Sequence, residues 1–237
     1  MNFAIIAAGE GSRLVQEGVA VPKPLVDLDG RPMIGRLMDI FESCGAESIS
    51  VIVNEQMTQV RTYIEERMRT SKTPVRLTVK TTPSSMHSFY EVSRNFPAGS
   101  KFILTTVDTI FREEDFRRYA DAFAADNTMD GYMAVTDFID DEKPLYIDVD
   151  AADTITAFRD EPWPGIRYIS GGIYGLTMPA IDILEECMAR GVSRMRNYQR
   201  ALVAAGLNLR AYPFGKIVDV DHAGDIATAR AFISSKD

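Results

Sequence analysis

The chain opens on Phe3-Ala4-Ile5-Ile6-Ala7-Ala8, an apolar run that passes directly into Gly9-Glu10-Gly11-Ser12-Arg13. A proline-braced Pro22-Lys23-Pro24-Leu25 follows. A short apolar run bounded by turn residues reads as a buried strand. The glycines behind it let backbone N–H groups approach phosphate oxygens, because no Cβ stands in the way. Arg13 and Lys23 add the formal charge that backbone dipoles only partly supply. The combination is a device for holding a polyphosphate at a strand end. It is neither of the two best-known phosphate loops: G-x-x-x-x-G-K-[ST] is absent, and Gly9-Glu10-Gly11-Ser12-Arg13-Leu14 lacks the third glycine of G-x-G-x-x-G. A bare G-x-G also fits an ordinary strand–turn, with positive φ at Gly9 and Gly11 and a solvated Arg13.

Strand-like runs alternate with amphipathic helical stretches along the rest of the chain, the pattern of an α/β sandwich with a largely parallel sheet. The strand at 2–8 is followed by a helix at about 33–44, a strand at 48–53, a helix at 55–69 and a strand at 75–80. A short helix at 86–94 precedes the apolar strand 101–107, which ends at Asp108, and a helix at 112–125 opens on three acids. Beyond it, 131–138, 145–149, 154–159 and 167–176 read as strands in a more mixed arrangement. Helices at 178–190 and 194–205, strands at 208–214 and 216–220, and a helix near 223–235 complete the series. No linker or repeat divides the 237 residues. One domain is expected over 1–237, with a nucleotide-binding half at 1–130 and an acceptor-binding half at 131–237.

Charge narrows the partners. A net charge of −8 argues against nucleic acid or an anionic membrane surface. It also means that a polyanionic substrate must meet a local basic patch, a contrast Arg13 and Lys23 supply. The apolar opening run lacks a basic leader and reads as a strand, not a signal peptide. No segment approaches the ~20 apolar residues of a membrane span. Cys44 and Cys187 sit in helical, apolar contexts and are expected as buried thiols rather than a disulfide or metal pair, which suits a reducing cytoplasm.

The string A-A-G-x-G-S-R-L followed by P-K-P-L closely resembles the signature of the sugar-nucleotide pyrophosphorylases, the NTP-transferase family of nucleotidyltransferases. The resemblance implies a three-layer α/β/α sandwich with a mixed, mainly parallel central sheet, of the GT-A-like, Rossmann-like kind. It implies that Ala8, Gly9, Gly11 and Ser12 wrap the nucleotide phosphates, with Ser85 as a further nucleotide contact. It makes Arg13 and Lys23 the catalytic cations. Asp108, at the end of an apolar strand, points into the crevice where α/β sheets bind ligands, and the family carries a metal-binding Asp at such a strand end. The family's second metal carboxylate matches Val218-Asp219-Val220-Asp221-His222, with Asp221 first and Asp219 second. Mg²⁺, which takes one or two carboxylates plus phosphate oxygens and water, is the expected cofactor. Asp221 also reads as an N-cap for the last helix, and both roles are compatible.

The second half departs from the family pattern. Ser170-Gly171-Gly172-Ile173-Tyr174-Gly175 resembles the family's N-A-G-I-Y strand with serine for asparagine, so Gly172 is carried as an acceptor contact. Ala157-Phe158-Arg159-Asp160-Glu161-Pro162 stands where many members have E-K-P, and Arg159 and Glu161 are carried as acceptor-binding; Arg167 is a further candidate cation. Glu142-Lys143-Pro144 matches E-K-P in letters but lies ahead of an earlier strand. Thr81-Thr82-Pro83-Ser84-Ser85 replaces the usual Gln and G-T-A, so the base is not legible. With only His87 and His222, a histidine zinc site or catalytic triad is not expected. Trp163 reads as packing.

The expected activity is transfer of an NMP from an NTP to a sugar 1-phosphate or similar phosphomonoester with release of pyrophosphate. The partners are thus an NTP and a phosphorylated small molecule, with no nucleic acid, no membrane and an open oligomeric state. Two rivals remain at this stage. A glycosyltransferase using Asp219-x-Asp221 would leave the glycine loop without purpose and release a nucleoside phosphate. A non-catalytic homologue of the fold would release nothing.

Overall fold

The computed structural model describes residues 1–138 and 143–235. From the N-terminus, β1 (Asn2–Ala7) leads into a short helix α1 (Ser12–Gln16), a 3₁₀ turn over Lys23–Leu25, and a hairpin of β2 (Asp27–Leu28) and β3 (Arg31–Pro32). There follow α2 (Met33–Ser43), β4 (Ser48–Val53), α3 (Thr58–Thr70), β5 (Val75–Val79), α4 (Ser85–Ser93), β6 (Phe102–Thr106), β7 (Thr109–Ile110) and α5 (Glu113–Ala125). The remainder is β8 (Gly131–Thr136), β9 (Tyr146–Val149), β10 (Ile155–Arg159), β11 (Tyr168–Leu176), α6 (Pro179–Ala189), α7 (Met195–Ala204), β12 (Leu209–Pro213), β13 (Val218–Asp219) and α8 (Ala223–Ser234).

All six residues of β1 are buried. Alternation sends Phe3, Ile5 and Ala7 into one apolar core and Ala4, Ile6 and Ala8 into a second on the opposite face. Helices α2, α5 and α8 cover the first face with Leu37, Phe41, Phe116 and Phe232; α4, α6 and α7 cover the second with Phe89, Leu184 and Leu202. A strand buried on both faces belongs at the centre of a three-layer α/β/α sandwich. That is the architecture observed.

The sheet runs β10-β9-β11-β6-β1-β4-β5, with β8 beside β11 and β12 beside β8. β6, β1, β4 and β5 are mutually parallel, while β11 is antiparallel to β6 and begins the mixed part. The β1–β6 register, Asn2 opposite Phe102 and Ile6 opposite Thr106, makes the two strands end side by side. The glycine loop after β1 and Asp108 after β6 therefore leave the sheet together. A two-strand sheet off the main one pairs Asp219 of β13 with Thr109 of β7, and Val220 N–H donates to the Asp108 carbonyl at 3.1 Å. This small ladder carries the acidic C-terminal strand to Asp108.

Where the mixed part begins, Tyr119 is wholly buried and its hydroxyl bridges two strands. It donates to the Tyr132 carbonyl at 2.6 Å and accepts from Gly175 N–H at 2.5 Å. Gly175 is glycine for a steric reason: a Cβ there would sit 2.8 Å from that hydroxyl. Tyr119→Phe removes the bridge and leaves backbone groups of β8 and β11 without it, at a cost of about 1–3 kcal/mol. Urea unfolding is expected to show that loss as a lower midpoint with an unchanged slope.

Candidate active site

Lys23 lies on the 3₁₀ turn with its side chain only 10% exposed. Its Nζ donates to Asp108 Oδ2 at 2.5 Å and to Asp221 Oδ1 at 2.7 Å. Arg13, from the start of α1, reaches the other oxygen of Asp221 at 3.0 Å. Residues separated by up to 208 positions in the chain thus share one charge cluster. Burial alone pushes the Lys23 ammonium down, but Asp108 and Asp221 outweigh it and hold its pKa above the usual lysine value. Burial likewise opposes ionisation of Asp221, and Lys23 followed by Arg13 brings that carboxyl below its ordinary range. The two cations and two acids singled out in the sequence meet at one point.

The backbone explains how they fit. Gly11 has φ 62°, and a Cβ on it would stand 2.8 Å from the Lys23 Cβ. Gly11 therefore lets the loop fold over the lysine. Gly9 has open space around it. Asp221 does not cap α8: His222 is the N-cap, and Asp225 accepts from the N–H groups of Asp221 and His222 at 2.9 and 2.7 Å. The Asp221 carboxylate is thereby left to face Lys23 and Arg13. Glu17, at the end of α1, accepts from Ala223 N–H at 2.6 Å and lies 2.5 Å from His222 Nδ1. That contact fastens the loop helix to the turn bearing Asp221, and no motif in the sequence announces it.

Two cavities meet at Asp108. The first, about 530 Å³, is lined by Ala8, Gly9, Gly11 and Ser12 of the loop, by Lys23, and by Asn54, Ser84 and Ser85. All the residues expected at the nucleotide phosphates line it. Asn54 was missed. It follows the apolar β4 directly, accepts from Thr81 Oγ1 at 3.1 Å and donates to the Ala8 carbonyl at 3.4 Å. A polar residue at the C-terminal end of a parallel strand was the signal available.

The second cavity, about 390 Å³, holds Asp108, Asp219 and Asp221 together with Ser170, Gly172, Lys143, Arg194, Arg196 and Gln199. Gly172 sits at φ 72°, where a Cβ would lie 2.7 Å from Thr109 Oγ1. Arg159 and Glu161 line neither cavity. Arg159 pairs with Asp148 at 3.2 Å and stacks over Trp163 at 5.0 Å, so the bulge-bearing β9–β10 hairpin carries it away from the crevice. Arg167 packs over Tyr168 and also lies outside. Of Glu142-Lys143-Pro144, Glu142 lies outside the described residues, while Lys143 lines the cavity. A larger cavity of about 1360 Å³, bounded by Arg31, Arg36, Arg112 and Phe232, contains none of these groups. The chemistry-bearing residues, not volume, mark the site. Cys44 and Cys187 are both free thiols, but only Cys187 is buried as expected; Cys44, at the end of α2, is half-buried.

A family model for the MobA-like NTP transferase domain matches residues 3–169. The chain belongs to this family. Arg13, Lys23 and Asp108 lie within the matched span, and Arg194, Asp219 and Asp221 beyond it. Over 66 residues the chain is 39% identical to the 2-aminoethylphosphonate cytidylyltransferase of Lancefieldella rimae, covering 28% of this chain and 26% of that protein. Over 69 residues it is 37% identical to the bifunctional protein GlmU of Symbiobacterium thermophilum, covering 29% of this chain and 14% of that one. The matched stretches thus span well under half of these relatives. Among solved structures, the inositol-1-phosphate CTP transferase from T. maritima superposes with a TM-score of 0.78 at 18% identity, over 99% of this chain and 98% of that one. A Bacillus anthracis protein provisionally assigned as a glucose-1-phosphate thymidylyltransferase gives 0.85 at 19% identity, over 100% and 96%. These likenesses establish a shared fold.

Two outcomes follow from the cluster. Gly11→Ala is expected to destabilise the protein by about 1–2 kcal/mol through its left-handed backbone and its contact with Lys23, while Gly9→Ala is near neutral. Thermal melts of the two variants side by side measure this. The depressed pKa of Asp221 makes its contribution present above the ordinary carboxylate range and lost as pH falls through the depressed value. The melting-temperature advantage of wild type over Asp221→Asn should therefore be full above about pH 5 and shrink as pH falls below about 4.

Proposed function

We propose that this chain transfers an NMP from an NTP to a phosphate or phosphonate oxygen of a small acceptor, such as a sugar 1-phosphate, and releases pyrophosphate. The observation that carries the reading is the position of Lys23. It is held against two carboxylates, beside a glycine loop, where the nucleotide-sized cavity and the acceptor-side cavity meet. Membership in an NTP-transferase family supports the same chemistry.

The acceptor oxygen attacks the α-phosphorus, a new P–O bond forms, and the bond to the β-phosphate oxygen breaks with both electrons leaving on pyrophosphate. The attacking group is already an anion, so no general base is needed. Catalysis then rests on alignment and charge neutralisation. The amides of Gly9 to Ser12, with Arg13, hold the leaving phosphates. Lys23 neutralises charge building on the transferring group. Residues 1–130 would supply the nucleotide side and 131–237 the acceptor side, with Asp221 reaching across to the first.

The carboxylates also suit a divalent cation. Asp108 and Asp221 converge on a single positive charge with Asp219 lining the same cavity, a hard-oxygen set of the kind Mg²⁺ takes when phosphate oxygens and water complete its shell. Among the described residues no cluster of three or more acidic, histidine or cysteine ligands forms a closed metal cage. When bound, the ion would supply charge neutralisation on the phosphates. No helix among the described residues is long and apolar enough to cross a membrane.

The test is pyrophosphate release measured over the four common NTPs and a panel of phosphorylated acceptors with Mg²⁺. Wild type should release pyrophosphate only when both substrates are present. Lys23→Ala should lower kcat by about 10²-fold or more, the scale of losing one preorganised electrostatic group. Turnover near wild type in that variant refutes the assignment of Lys23. Release of a nucleoside diphosphate or monophosphate instead would point to glycosyl transfer.

A further inference from the structure

Among the described residues, three that are not glycine have positive φ: Asp29, Asp153 and Arg194. Aspartate tolerates the left-handed region by hydrogen-bonding locally. Arg194 is different. Its φ of 71° comes with a ψ of 137°, which takes it out of the left-handed helical well into a region occupied essentially by glycine. Such a conformation persists only where its surroundings hold it.

The surroundings are specific. Arg194 stands immediately before α7, and its backbone N–H donates to Ser84 Oγ at 3.3 Å. Ser84 lines the nucleotide-side cavity, and its hydroxyl also lies 2.8 Å from His87 Nδ1. Arg194 itself lines the acceptor-side cavity with Asp108, Asp219 and Asp221. Its neighbours are committed elsewhere. Arg196 pairs with Asp160 at 2.5 Å and donates to the Lys143 carbonyl at 2.9 Å, and Arg200 pairs with Asp160 at 2.7 Å. The Arg194 guanidinium has no hydrogen-bond or ion-pair partner among the described residues, and its side chain is solvent-accessible. A strained backbone thus brings an unpaired fixed cation to a cavity whose other end is carboxylate.

We propose that Arg194 is the arginine that binds the acceptor's phosphate or phosphonate group, and that Ser84 positions it from the nucleotide side. The proposal rests on the nucleotidyl-transfer reading above. A planar guanidinium takes two oxygens of one phosphoryl group through parallel N–H···O bonds, which a lysine ammonium does not. It also offsets the repulsion a dianionic acceptor meets from Asp108, Asp219 and Asp221. The backbone conformation is the cost of that placement. A turn residue with no ligand would be better served by glycine.

The substitution Arg194→Gly relieves the strain and deletes the guanidinium together, so its readouts distinguish a ligand-binding role from a structural one: acceptor affinity should fall while stability does not. Pyrophosphate release should show the acceptor KM raised about tenfold or more, the usual effect of losing a charge-assisted pair, with the NTP KM unchanged. The melting temperature should hold or rise. Arg194→Lys should recover only part of the acceptor affinity, and Ser84→Ala should raise the acceptor KM without changing the pH profile. Sugar 1-phosphates and 2-aminoethylphosphonate serve as the phosphate and phosphonate arms. Wild-type release with an unchanged acceptor KM in Arg194→Gly overturns the proposal and leaves the transfer reading standing. No pyrophosphate from wild type with any substrate pair overturns both.

Discussion

The ammonium of Lys23, shared between Asp108 and Asp221, is the interaction around which the rest of the site is arranged. A nearly buried ammonium without counter-charge would cost several kcal/mol to desolvate. Two carboxylates brought together without a cation would repel. Each therefore makes the other tenable. Satisfying them places demands on distant parts of the chain. β1 and β6 must end in register, the β7–β13 ladder must bring in the C-terminal strand, and residue 11 must lack a Cβ. The fold meets these demands with backbone hydrogen bonds, which leaves the charged side chains to face one another and the cavities.

The same arrangement prepares the proposed transfer. Arg13, Lys23, Asp108 and Asp221 are joined by ion pairs that hold the two cations and two acids at one point. Incoming phosphates and a divalent cation would exchange partners within the cluster: phosphate for carboxylate at the two cations, divalent ion for ammonium at the two acids. Swapping one set of ion pairs for another requires little reorganisation, which is what makes preorganised charge effective in catalysis. Against an overall charge of −8, such a local grouping of cations is what a polyanion would be drawn to.

Much of this was legible from the chain. The glycine loop and Asp108 follow the ends of the apolar strands β1 and β6, where local pattern and spacing report directly on place, and Lys23 was marked by its proline-braced motif. The layered sheet followed from alternating periods. The segments of 12–32 were less visible, because α1, the 3₁₀ turn, β2 and β3 span five residues or fewer each and have no room for a period. Asp219 and Asp221 could be named as acids on one strand, but only the two-residue pairing with β7 shows how they reach Asp108. Arg159 was misleading for a related reason. It has the right neighbours in sequence, yet the register shift in β9–β10 and its stack on Trp163 turn it away from the crevice.

The unequal legibility of the two cavities has a physical origin. The proposed nucleotide side takes Ala8 to Ser12 from one continuous strand–loop–helix, where chemistry and spacing coincide, adds Asn54, Ser84, Ser85 and Asp108 from beyond other strand ends, and lies within the family match from 3 to 169. The acceptor side draws on Lys143, Ser170, Arg194, Gln199 and Asp219, five points on different elements. No spacing rule links them, because the links are tertiary: the β11 register, the Ser84–Arg194 hydrogen bond and the β7–β13 ladder. A site assembled this way can change one contributor without disturbing the others.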